Sequence, residues 1–225
     1  MRWLLGMSLL LLSCQKGAAD KQPVPTVNQP EVAVVAPMGK TVDAASPPSP
    51  AIADDSVYQL AMTLVDQDGQ TRTLASFLGK PTIVSMFYAH CPNACPLLIH
   101  KIQSLEGKLT EAERKQLQVL LVSFAPDVDT NSVLKALAKK QEVDETRWRL
   151  VRTNESSVRE LSAVLGISYR KLDDGNYNHA SVLTLLDRNG VMVAKLDGLG
   201  SPTETIFQAM KQQTAGKSAQ PGGAR

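Results

Sequence analysis

GKPTIVSMFYAHCPNACP, residues 79–96, contains a short apolar run followed by two cysteines four positions apart. Thr82 to Tyr88 is uncharged and rich in β-formers, which predicts a strand buried on both faces. The cysteine motif follows at once. A helical pattern then runs from Ala94 to Gly107, with Leu97, Leu98, Ile102 and Leu105 apolar. A buried strand feeding a helix through a short, chemically loaded turn is the unit from which parallel α/β sheets are built, and such sheets carry their sites at strand carboxyl ends.

The flanking sequence continues the alternation. Upstream, Val57 to Val65 and Gln70 to Leu74 surround Asp66-Gln67-Asp68-Gly69 and predict a β-hairpin. Downstream, Leu117 to Phe124 predicts a second buried strand. Asp129 or Thr130 can cap a helix through Lys140. Trp148 to Val151 predicts a short strand, and Asn154 caps a helix to Leu165. Ser181 to Leu186 and Val191 to Leu196 flank Asp187-Arg188-Asn189-Gly190, whose Asn-Gly step signals a hairpin. Ser201-Pro202-Thr203-Glu204 has the form of a capping box opening a last helix, with proline at its first position. The order implies an α/β, thioredoxin-like fold: a central mixed sheet, an N-terminal β-hairpin extension and flanking helices.

The ends have another character. Arg2 precedes an apolar stretch at residues 3–12 that would rise about 15 Å as a helix, too short for a bilayer. Residues 1–13 therefore read as a signal peptide. Leu11-Leu12-Ser13-Cys14 resembles a bacterial lipobox, which makes Cys14 the expected lipidation site and the membrane a partner through the attached lipid. Residues 14–55 form the lipidated Cys and a disordered, Pro/Ala-rich tether, because seven of the thirteen prolines fall between Pro23 and Pro50. The folded domain is expected over 56–215, and 216–225 as a disordered tail. The expected location is the bacterial cell envelope, with the domain facing the periplasm or the extracellular side.

The chain has 225 residues, 43% of them apolar, and a net charge of +2, enough for one cored domain. No basic cluster interleaved with aromatics appears, which argues against a nucleic-acid partner. Of three cysteines, assigning Cys14 to lipid leaves the pair Cys91 and Cys95. At the start of a helix, positions i and i+4 share a face with Cβ atoms about 5–6 Å apart. The pair can close a disulfide, act as a redox couple or converge on an ion. A helix N-terminus favours negative charge and hence thiolates. A structural disulfide over so small a loop would contribute little.

Residues 79–96 resemble the Sco/SenC proteins, copper proteins of cytochrome c oxidase assembly, with His90, Cys91, Pro92, Cys95 and Pro96 matching their motif. Val122 to Thr130 is similar to the segment after that family's third strand, and Asn176-Tyr177-Asn178-His179-Ala180-Ser181 to its histidine segment. The resemblance covers most of 56–215. It implies copper, Cu(I) or Cu(II), held by Cys91, Cys95 and His179, with the two cysteines able to form a disulfide. Two thiolates suit Cu(I), and an imidazole serves either state. His90, Asp129 and Asn178 are expected beside the ligands in supporting roles, His90 pointing away from them. His100 reads as a surface or packing residue. The sequence departs from the family at Asn178, where many relatives have Asp, at Asn131, where they have Pro after Asp-Thr, and at Asn93, often Asp. A carboxylate in place of Asn178 could orient the ligand imidazole; an amide can only hydrogen-bond.

The resemblance thus implies a metallochaperone rather than an enzyme, delivering copper to the copper A subunit of cytochrome c oxidase or to another copper or thiol protein. The alternative is a dedicated thiol-disulfide oxidoreductase using the same pair. Its three intervening residues, and the lack of a proline near His179, count against a general reductase. Zinc also accepts two Cys and one His, but no carboxylate stands ready as a general base.

Overall fold

The structure, a computed structural model, describes residues 52–91 and 94–215, all within one structural unit. The expected signal segment, Cys14, the expected tether up to residue 51 and the expected tail lie outside the described residues, as do Pro92 and Asn93.

Seven strands form one mixed sheet. In chain order they are β1 (Thr63–Asp66), β2 (Thr71–Thr73), β3 (Thr82–Phe87), β4 (Gln118–Ser123), β5 (Trp148–Arg152), β8 (Val182–Leu186) and β9 (Met192–Asp197). The short strands β6 (Tyr169–Lys171) and β7 (Tyr177–His179) pair only with each other. The spatial order of the large sheet is β2-β1-β5-β4-β3-β8-β9. β3, β4 and β5 are parallel, while β1, β8 and β9 join antiparallel. The helices are α1 (Ala94–Gly107), α2 (Glu111–Gln116), α3 (Asn131–Lys140), α4 (Glu155–Leu165) and α5 (Glu204–Thr214). This is the mixed-sheet, thioredoxin-like arrangement expected from the sequence, with the β1–β2 hairpin as its N-terminal extension.

Side chains alternate across each strand, so one strand feeds two cores. Ile83 and Phe87 of β3 pack with α1, α3 and α5, through Leu98, Ile102, Leu134 and Met210. Val84 and Met86, on the other face, pack with α4 through Val158, Leu161 and Leu165. All six residues of β3 are buried, which is why its sequence is uncharged and mostly apolar. Leu97 departs from its helical pattern and stays exposed at 58%. Among the described residues, no helix is long and apolar enough to cross a membrane.

Four local readings are changed, resolved or added to. Val57–Gln59 is a 3-10 turn, so the first strand begins only at Thr63. Ser56 Oγ accepts the Tyr58 amide, and the Val57 amide donates to Gly190 O at 2.9 Å. Gly190 has φ +86°, and a Cβ there would lie 2.4 Å from the Tyr58 ring, so the Asn-Gly turn is the seat for this segment. Ile52 packs against the same core and accepts from Gln59 through its carbonyl. Secondly, α5 begins at Glu204, without a Ser201 capping box; Ser201 Oγ donates to Asp197 O instead. Thirdly, Thr130 rather than Asp129 caps α3. Fourthly, α2 was not anticipated, although Thr110 and Glu113 form a full capping box at its start.

Candidate metal centre

β3 ends in the middle of the sheet, where Phe124 N–H donates to Phe87 O at 2.7 Å. The chain then turns through Tyr88 to Cys91, with the Cys91 amide bonded to Tyr88 O at 3.2 Å, and enters α1 at Ala94. Cys95 points inward and is 2% exposed, while Cys91 is half-buried. Cys91 Sγ accepts the Cys95 amide at 3.4 Å, and Cys95 Sγ accepts the Tyr88 amide at 3.5 Å. The two sulfurs are not joined in a disulfide.

The third donor arrives from another sheet. His179 is the last residue of β7, paired with Tyr169 of β6. It lies on a strand rather than in a loop. Its imidazole stacks obliquely on Phe124, with ring centroids 5.0 Å apart, and meets Tyr88 edge-on at 6.0 Å. Tyr177, two residues earlier and on the same face, packs on Tyr88 at 5.3 Å. Tyr169 stacks on Phe124 at 4.9 Å. The sulfur and nitrogen atoms of Cys91, Cys95 and His179 all lie within 4.8 Å of one another.

Burial pushes the Cys95 thiol well above its ordinary range; the Tyr88 amide opposes this and the neighbouring Cys91 reinforces it. At Cys95, therefore, the expected gain in thiolate from the helix N-terminus is outweighed by desolvation. Burial also lowers the pKa of His179, against a weaker opposing hydrogen bond between Nδ1 and Ala180 O. The shift favours the neutral ring, the form that ligates a metal. Burial raises the phenol of Tyr88, with Cys91 adding to the effect.

The supporting residues separate. Asp129 is fully buried and its carboxylate accepts the Ala89 amide at 3.0 Å. His90 is exposed, its Nδ1 3.6 Å from Asp129 Oδ1, and it is not among the three clustered donors. Asn178 neighbours His179 on the strand, faces the opposite side, is exposed and makes no hydrogen bond to the imidazole. His100 is a surface residue bonded to Gln103 at 3.2 Å. The aromatic wall of Tyr88, Phe124, Tyr169 and Tyr177 was not singled out in the sequence. The Tyr-x-His spacing at 177–179 is a local sign of it, because residues two apart share a strand face.

A thioredoxin-like domain with two thiols and an imidazole converging at the end of its central strand defines a class of protein that handles a soft metal, a disulfide, or both. The chain belongs to the SCO1/SenC family, whose model matches residues 51–215. A Stutzerimonas stutzeri protein, provisionally named as copper-binding, is 27% identical over 148 residues, which is 61% of this chain and 71% of that protein. A SCO1/SenC family lipoprotein of Bacillus anthracis is 25% identical, with a TM-score of 0.61 over 67% of this chain and 91% of that one. ScoI of Arabidopsis thaliana, solved with copper bound, shares the fold with a TM-score of 0.58 at 20% identity, over 67% of this chain and 96% of that one.

Proposed function

We propose that this chain is a copper carrier of the cell envelope, holding one copper ion through Cys91, Cys95 and His179 and passing it to a partner. The observation that carries this reading is the convergence of the three donor atoms within 4.8 Å. Two sulfurs and one nitrogen suit copper, and three protein ligands leave a coordination position open for a receiving protein's ligand. The partner we favour is the copper A subunit of cytochrome c oxidase, in keeping with the family. Lipid attachment at Cys14 would hold the domain at a membrane, facing outward, as the name of the Bacillus anthracis relative suggests for that protein.

Titration of the reduced chain with Cu(I) and Cu(II) tests this. One ion per chain is expected, with affinity reduced by His179→Ala and abolished by Cys91→Ser. Absence of stoichiometric binding of either ion, or indifference to His179→Ala, rules the reading out.

A second reading, a dithiol reductant for a partner's cysteines, is favoured by one specific contrast. Cys91 is half-buried and Cys95 fully buried, the arrangement of an attacking and a resolving thiol. Metal-free reduction of a partner disulfide, lost in Cys91→Ser, would support it. The two readings share their residues, since oxidation of the pair must release a thiolate-bound metal.

A further inference from the structure

The ladder between β3 and β4 ends at the pair Phe87 and Ser123, closed by the Phe124 amide on Phe87 O. Beyond it, no backbone hydrogen bond among the described residues joins the segment 88–91 to the segment after β4. The link is made instead by one side chain. Asp129 Oδ2 accepts the Ala89 amide at 3.0 Å and the Ser123 hydroxyl at 2.5 Å. Ser123 Oγ in turn accepts the Ala125 amide at 2.9 Å, so the carboxylate is itself oriented. Asp129 is fully buried, and its Oδ1 has no hydrogen-bond partner among the described residues. That oxygen faces His90 Nδ1 at 3.6 Å, too long for a hydrogen bond.

A buried carboxylate with an unspent oxygen is costly. Its own helix does not require it, because Thr130 caps α3. What the carboxylate holds is the backbone two residues before Cys91. We propose that Asp129 is a positioning residue for the centre: through the Ala89 amide it fixes the approach to the cysteine motif, setting Cys91 against Cys95 and His179 before an ion arrives. As a statement about metal loading this rests on the copper reading; as a statement about the thiol pair it does not.

The test uses the full chain with Asp129→Ala and Asp129→Asn, both checked for folding by circular dichroism. The first readout is metal-free: equilibration with glutathione. The two thiols give up two protons and two electrons, the sulfurs join, and glutathione disulfide leaves as two glutathione thiols. Looser positioning should move this equilibrium toward the dithiol by about tenfold in Asp129→Ala. The second is copper affinity, expected to fall by about tenfold or more. Asp129→Asn keeps an oxygen for the Ala89 amide and should recover most of both losses. Should Asp129→Ala not fold, Ser123→Ala, which removes the hydroxyl orienting Oδ2, is read by the same two measurements. A folded Asp129→Ala chain with both constants within about twofold of the parent overturns the proposal. If the parent binds no copper, the copper reading falls, and the glutathione equilibrium still decides the role of Asp129.

Discussion

The two halves of the candidate centre are built on unequal ground. The cysteines sit between β3, buried over its whole length, and α1, whose Leu98, Ile99 and Ile102 are fully enclosed. His179 sits on a separate two-stranded sheet of three residues per strand. An isolated hairpin of that size is marginal in water. This one is held by rings: Tyr177 and His179 on Tyr88 and Phe124, with a long contact from the Tyr88 hydroxyl to Asn176 at 3.5 Å. The thiol pair therefore belongs to the most stable part of the domain, and the imidazole to a part that can open at lower cost. If the chain passes its ion on as proposed, that difference predicts that the histidine arm lets go while the cysteines stay in place.

The contrast can be broken at its strong end first. Phe87→Ala empties a fully buried ring site at the end of β3 and should cost about 3–5 kcal/mol, measured by urea unfolding. Asp66 anchors the β1–β2 extension, accepting from Arg72 at 2.6 Å and from the Gln70 and Asp68 amides. Burial works to raise its pKa, but these bonds outweigh it and hold the carboxyl below its ordinary value. The stabilisation is therefore present above the ordinary carboxylate pKa and is lost as pH falls through the lowered one. Asp66→Asn should cost about 1–3 kcal/mol at neutral pH and flatten that acid dependence, as read from denaturant midpoints across pH.

At the weak end, Tyr177→Ala removes a half-buried ring. It should cost only about 1 kcal/mol of global stability, yet lower copper affinity by about tenfold, because it loosens the strand that carries His179. Native-state hydrogen exchange should show the same order without mutation, the amides of β6 and β7 exchanging faster than those of β3 and β4. Equal protection in the two sheets would erase the distinction. His100→Ala, on the exposed side of α1, should change neither stability nor metal binding measurably.

How much of this was readable in advance follows the same division. β3, β4 and α1 announced themselves because burial on both faces leaves a strand uncharged and mostly apolar and because the cysteines punctuate the end of β3. α1 was expected over the residues it occupies, Ala94–Gly107. β6 and β7 are short, polar and exposed on one side, so neither composition nor periodicity marked them, though Asp173-Asp174-Gly175 is the turn between them. Val57 and Tyr58 looked like strand residues because they are apolar. They are apolar for another reason, being docked on the Gly190 turn, 133 residues away at the Ser56 bond. The aromatic wall draws on four separate segments, and only the folded chain assembles it. Asn178 was legible as a departure but not in its consequence, since strand alternation turns it away from the imidazole it was expected to affect.

The most direct test of the central claim is X-ray absorption at the copper edge of the loaded, reduced chain. Two sulfur scatterers and one imidazole are predicted for the parent, and two sulfurs without the imidazole for His179→Ala. A parent spectrum with no sulfur scatterers, or one that His179→Ala leaves unaltered, would contradict the account.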